Sequence, residues 1–205
     1  MDRVWDYVMD ISGTLLKTMP EQCSPQVQAK LLPIYMKRLS DLHSKARDLA
    51  PMLDSLCLLC DCIEFGSDAL FNAISAQAAP KLIQVVEELG QKRHDFVQTC
   101  IFALGCLALR TPSGEFSHLD KVMNIALNIQ QNAHLFTKEK GGPHACVDNS
   151  LSCLAKLCYS QPVTADQMKF MLGKFPMLND EEEAQASHKL LFKQVQAHAQ
   201  KFAGV

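Results

Sequence analysis

Along most of the chain, apolar residues return every three or four positions. Val147, Leu151, Leu154 and Cys158 fall at i, i+4, i+7 and i+11. Val97, Ile101, Leu104 and Ala108 repeat that spacing, and Leu56, Cys60 and Ile63 follow its first three steps. A stripe of this kind lies on one face of an α-helix. No stretch alternates with a period of two for long enough to argue a strand.

Punctuation divides the stripes into elements. Ser24-Pro25 reads as an N-cap followed by proline at the first helical position. Gly66 and Gly90 each follow an apolar-periodic stretch, as glycines at helix C-termini do. Thr111-Pro112-Ser113-Gly114 and Gly141-Gly142-Pro143 read as loops. Thr164 with Gln167 three residues on is a capping box. Asn179 is placed to cap a helix whose first turn is Asp180, Glu181, Glu182 and Glu183, where carboxylates suit the positive end of the helix dipole. These marks predict about nine helices, near 2–18, 25–43, 46–65, 68–89, 94–110, 115–131, 143–159, 164–175 and 180–202.

The helices read as pairs, with 46–65, 94–110, 143–159 and 180–202 as the second members. Aligning Asp61, Gly105 and Ala155 gives internal spacings of 44 and 50 residues. Two helices in a period of roughly 40–47 residues is the HEAT or armadillo signature. The expected fold is therefore all-α, a right-handed α-α superhelix of HEAT/armadillo type. Four to five repeats would form one solenoid segment over 1–205. Each pair buries its apolar faces only by stacking on a neighbour.

Composition agrees with this reading. Leu and Ala total 47 residues, against 25 for Val, Ile and Thr together, which favours helix over sheet. Hydrophobic residues make up 48%, enough for a sizeable core. A formal net charge of −2 gives no basic excess for direct nucleic-acid binding. The longest apolar run, Cys100 to Leu109 around Gly105, is too short to span a bilayer and suits a buried helix. The nine cysteines are odd in number and mostly sit in apolar runs. Asp2, Arg3, Asp6 and Asp10 interrupt any secretory apolar segment, so a reducing compartment is expected.

No arrangement carries recognisable catalytic chemistry. Cys57-x-x-Cys60-x-Cys62 has a superficial metal-binding look, but three side chains at that helical spacing do not converge easily. No second pair of Cys or His follows at finger spacing, so these read as packing residues. Gly141-Gly142-Pro143 is a break before a helix and has no Gly-Lys-Ser/Thr after it. No nucleophile elbow is present. The expectation is no enzyme, with no catalytic, cofactor-binding or metal-ligating residue.

The polar helix faces are more informative. Asn149, Ser152 and Lys156 recur at i, i+3 and i+7, opposite an apolar stripe. Asp54, Asp61 and Glu64 recur at i, i+7 and i+10. In a solenoid, such faces line up into an extended concave surface. Acidic groups there attract basic partners, and asparagine can pair with a peptide backbone.

Three of these helices carry a likeness. Leu56-Cys57-Leu58-Leu59-Cys60-Asp61-Cys62-Ile63-Glu64-Phe65 resembles a second helix near the C-terminus of the karyopherin-β (importin-β) nuclear transport receptors. Phe102-Ala103-Leu104-Gly105-Cys106-Leu107-Ala108 looks like the second helix of the following repeat. Asp148-Asn149-Ser150-Leu151-Ser152-Cys153-Leu154-Ala155-Lys156-Leu157 is similar to that of the repeat after. Order and approximate spacing match from about residue 25 to 200, most closely in the importin branch that carries ribosomal proteins and histones.

The resemblance implies a C-terminal segment of a longer receptor that shuttles between cytoplasm and nucleus. It implies basic cargo proteins on the concave face, at Asp54, Asp61, Glu64, Asn149, Ser152 and Lys156. It implies FG nucleoporins between first helices, where Leu31, Leu32, Ile34, Tyr35 and Met36 are apolar, as are Met168, Phe170, Met171, Leu172 and Phe175. The Ran GTPase is held in the family by an N-terminal arch that has no counterpart in these residues. Trp5 and Tyr7 are expected to pack on a preceding repeat. The alternative function is a free-standing HEAT scaffold that assembles another complex, unrelated to transport.

Overall fold

The computed structural model describes residues 2–40, 49–90, 92–138 and 142–197, with side chains from Tyr7 onward. The protein is all-α, and among the described residues the only β-type pairing is an isolated bridge between Thr137 and Pro143. It divides into two compact units, Met1–Ala103 and Leu104–Val205.

The first unit holds α1 (Asp2–Thr18), α2 (Pro20–Gln26), α3 (Leu32–Ser40), α4 (Ala50–Phe65), α5 (Asp68–Leu89) and the start of α6 (His94–Arg110). At its centre is α4, which packs against α1 and α3. Its buried positions, Met52, Ser55, Leu56, Leu58, Leu59, Cys60, Cys62 and Ile63, cover more than one stripe, as expected of a helix enclosed by neighbours. Leu16, Tyr35, Leu39, Leu70, Ile74 and Phe96 complete this core.

The helix expected to start at Ser24-Pro25 starts instead at Pro20, and Pro25 lies inside it. Ser24 accepts a hydrogen bond from Ser67 N–H (2.9 Å), so its hydroxyl fixes the start of α5 rather than capping its own helix. The chain then widens into a π-helical turn, Val27–Leu31, in which Leu32 N–H reaches back five residues to Val27 O. The wide turn falls just before Pro33. In a straight α-helix that ring would meet the carbonyl four residues back. Residues 41–43 of the expected 25–43 helix and 46–48 of the expected 46–65 helix lie outside the described residues.

The second unit holds the rest of α6, α7 (Leu119–Gln131), α8 (Ala145–Ser160), α9 (Ala165–Leu172) and α10 (Glu181–Ala197). Here α8 is central and packs against α7 and α10. Its residues are buried without a break from Asp148 to Cys158. Gln130 donates to Val147 O (2.6 Å) and Ser150 Oγ (2.7 Å), tying α7 to the first turn of α8. Gln161 donates to Ala108 O (2.9 Å) and Thr111 O (3.0 Å), tying the end of α8 to the end of α6.

The structure adds a cap that the sequence did not single out: His144 caps α8 through Nδ1, accepting from Cys146 N–H. One local expectation holds. Thr164 and Gln167 form the reciprocal capping box of α9. Others shift. Phe116 turns inward and is buried, so α7 begins at Leu119 rather than near 115. Gly173 ends α9 before 175. Asp180, not Asn179, caps α10, accepting from Glu183 N–H (3.1 Å). Gly141, residues 198–202 and the Trp5 side chain fall outside the described residues.

Candidate protein-binding surface

The two polar stripes meet different fates. On α4, Glu64 is exposed while Asp54 and Asp61 are half-buried. Asp61 turns toward α1. A Cβ on Gly13 would collide with its carboxylate, so the missing side chain leaves the space that this carboxylate fills. Burial pushes the Asp61 carboxyl up to about 6; Asp10 adds to the effect and Lys17 opposes it. At neutral pH part of the population is therefore uncharged. Lys17 also places Nζ over the Phe65 ring, 5.2 Å from its centroid. Of the three acids on α4, Glu64 is the exposed one, and Asp61 is taken up in part by α1.

On α8 the stripe is covered. Asn149 is 3% exposed, Ser152 0% and Lys156 6%. Asn149 Nδ2 donates to Asp180 Oδ2 (2.9 Å), and Lys156 Nζ to Glu183 Oε1 (2.6 Å). Ser152 Oγ donates to the same Glu183 oxygen. All three residues expected on an open concave face are internal, and their partner is the first turn of α10. The reason is physical. Buried polar groups must be paired, and α10 brings two carboxylates to three donors.

Asp148 completes this seam from the other side. Its buried carboxylate accepts from the backbone N–H groups of Leu178, Asn179 and Asp180 and from Asn179 Nδ2. It holds the loop that leads into α10. Farther along, Gln194 Nε2 donates to Cys158 O. Asp148, Asp180 and Glu183 were absent from the sequence-based site. The four-acid run at 180–183 was the signal for Asp180 and Glu183, a run that by itself suits only the positive end of the helix dipole.

Seven of the nine cysteines are packing groups, whereas Cys57, read from the sequence as packing, is exposed and Cys23 is half-buried. Cys60, Cys62, Cys100, Cys106, Cys146, Cys153 and Cys158 are buried. Burial pushes the Cys62, Cys146 and Cys158 thiols up to about 12, which keeps them protonated and unreactive at neutral pH. Among the described residues no three His, Cys, Asp or Glu side chains are placed to hold a metal ion. No described helix is long and apolar enough to cross a membrane.

Of the apolar first-helix residues, Tyr35 and Met171 belong to the core, and Ile34 remains exposed. Tyr7 and Ile11 form an exposed apolar pair one turn apart on α1. Comparison with known protein families, characterised proteins and solved structures finds no match to this chain.

Proposed function

We propose that the chain is a protein-binding, HEAT-type segment of a nuclear import receptor of the karyopherin-β kind, taking basic cargo on the acidic face of α4. The observation that carries this reading is the position of the three look-alike helices. Residues 56–65, 102–108 and 148–157 fall in α4, α6 and α8. Within its own unit, α4 is flanked by α1 and α3, and α8 by α7 and α10. Layered helix packing of this kind supports a HEAT-type solenoid, the finer form of the all-α fold.

The cargo reading narrows to one stripe. Glu64 is exposed and Asp54 half-buried on α4, and acidic groups there suit lysine- and arginine-rich segments such as those of ribosomal proteins and histones. The buried α8 residues are occupied. FG-nucleoporin contacts at Ile34 and its neighbours, Ran binding through an N-terminal arch, and shuttling between cytoplasm and nucleus all follow from the same family reading.

The test is retention of a basic histone-tail peptide by wild type and by Asp54→Lys/Glu64→Lys. Asp61 is left intact, because a lysine there would press on Gly13 and Lys17. The expected result is at least a tenfold loss of affinity in the double variant, which is about 1.4 kcal/mol. Equal retention removes the cargo reading.

A further inference from the structure

The α8–α10 contact is rich in buried polar groups. Its centre is a row of polar groups: Asn149, Ser152 and Lys156 on α8, Asp180 and Glu183 on α10. Ser187, one turn beyond Glu183, is 1% exposed, and its Oγ has no hydrogen-bond partner among the described residues. Gln194 is buried in the same line. Among the described residues of α10, Ala184 is the one apolar residue that is buried, while Leu190 and Leu191 are half-buried.

A polar seam separates differently from an apolar one. When the two faces part together, every member of the seam regains water. The Coulomb energy of the ion pair then offsets little more than its own desolvation. An apolar interface has no such compensation, because each exposed methylene costs free energy. The groups of α8 left behind have a definite chemistry: an amide, a hydroxyl and an ammonium spaced over two turns, flanked by the buried apolar residues Leu151, Cys158 and Ala155.

We infer that α10 is a built-in occupant of a helix-binding groove on α8, and that the groove accepts in its place a partner helix beginning with two carboxylates three residues apart. The pattern is Asp180-x-x-Glu183: the cap residue faces Asn149, and the third helical residue faces Ser152 and Lys156. Asp148 also accepts from the Leu178 and Asn179 N–H groups, so release of α10 from Asp180 onward leaves the chain anchored just upstream of the seam. This inference does not depend on the transport reading. It concerns an acidic helix on α8, whereas the transport reading concerns basic cargo on α4.

The probe is a fluorescent peptide of the Leu178–Ala197 sequence, titrated against the full chain. Wild type should bind it weakly, because its own α10 fills the groove. Glu183→Lys sets two cations against each other at the seam, releases α10, and should bind the probe at least about tenfold more tightly. Lys156→Glu also releases α10 but removes the cation that the probe needs, and should show no gain. The inference is overturned if Glu183→Lys binds no better than wild type, or if Lys156→Glu gains as much. Hydrogen exchange on the wild-type chain keeps the question answerable should either variant misfold. Residues 184–197 should exchange as one block, ahead of α8. Exchange of α8 and α10 at one common rate, or a smooth gradient from the C-terminal end, overturns it as well.

Discussion

Lys156 and Glu183 form an ion pair of 2.6 Å in which both side chains are about nine-tenths shielded from water. Removing one partner leaves the other buried and uncompensated. For Lys156→Met the cost is expected at about 3 kcal/mol, limited by whatever free energy releases α10 instead. The apolar pair Lys156→Met/Glu183→Leu should recover most of the loss, because it removes both charges and keeps the volume. Urea unfolding of the wild type, the single variant and the double variant decides between these. A double variant as unstable as the single one would show that the seam is valued for more than its charge.

Asp148 is a carboxylate doing the work of a cap at a distance. It accepts four hydrogen bonds from Leu178, Asn179 and Asp180. Asp148→Ala strands three backbone donors at the entry to α10. The expected loss is about 2–4 kcal/mol, read as a lower Tm with an early loss of helix signal from α10. Asp148→Asn keeps one acceptor oxygen and should lose less.

What the chain reveals by itself is what its own neighbourhood decides. Thr164 and Gln167 sit three residues apart, so their capping box is written locally and forms as expected. The Asn149, Ser152, Lys156 stripe was equally visible as polar. Its partner Glu183 lies 27 residues beyond Lys156, and no local pattern says whether water or another helix will face it. Asp61 shows the same limit: its carboxylate sits against Gly13, 48 residues earlier, in space that any side chain there would take. Ser24-Pro25 misled for a different reason. Proline at the start of a helix and proline tolerated inside one look alike until the helix is seen to begin at Pro20.

The raised carboxyl of Asp61 predicts a pH dependence of stability. Its folded value of about 6 lies above the ordinary 3.8, so the folded state holds the proton more tightly than the unfolded state. The stabilisation from the protonated form is complete below pH 4 and is lost as the pH rises through 6. At about 1.4 kcal/mol per unit the loss has a ceiling near 3 kcal/mol, and partial solvent exposure reduces it to roughly 1 kcal/mol. Asp61→Asn should therefore be more stable than wild type at pH 7.5 and equal to it at pH 4. Paired urea titrations at the two pH values measure the difference. A variant less stable than wild type at pH 7.5 would mean that attraction to Lys17 outweighs burial.

At Gly105, α6 lies close against α8. A Cβ at this position would lie 3.0 Å from Cys153 Cα and 3.1 Å from Lys156 Cδ. The lysine stem can swing aside, but the Cα belongs to the α8 backbone and can yield only if the helices move apart. Two effects therefore oppose each other in Gly105→Ala. The helix gains about 1 kcal/mol of intrinsic propensity, while overpacking in a close-packed interior costs about 1–3 kcal/mol. Backbone contact places the balance on the side of overpacking, so Gly105→Ala should lower stability by about 1 kcal/mol. Gly105→Val adds β-branching against the same backbone and should lower it by roughly 3 kcal/mol. Shifting α8 also disturbs Lys156, so the valine variant should loosen α10, seen as faster hydrogen exchange over residues 184–197. An alanine variant more stable than wild type would show that α6 and α8 can part by a few tenths of an ångström without penalty.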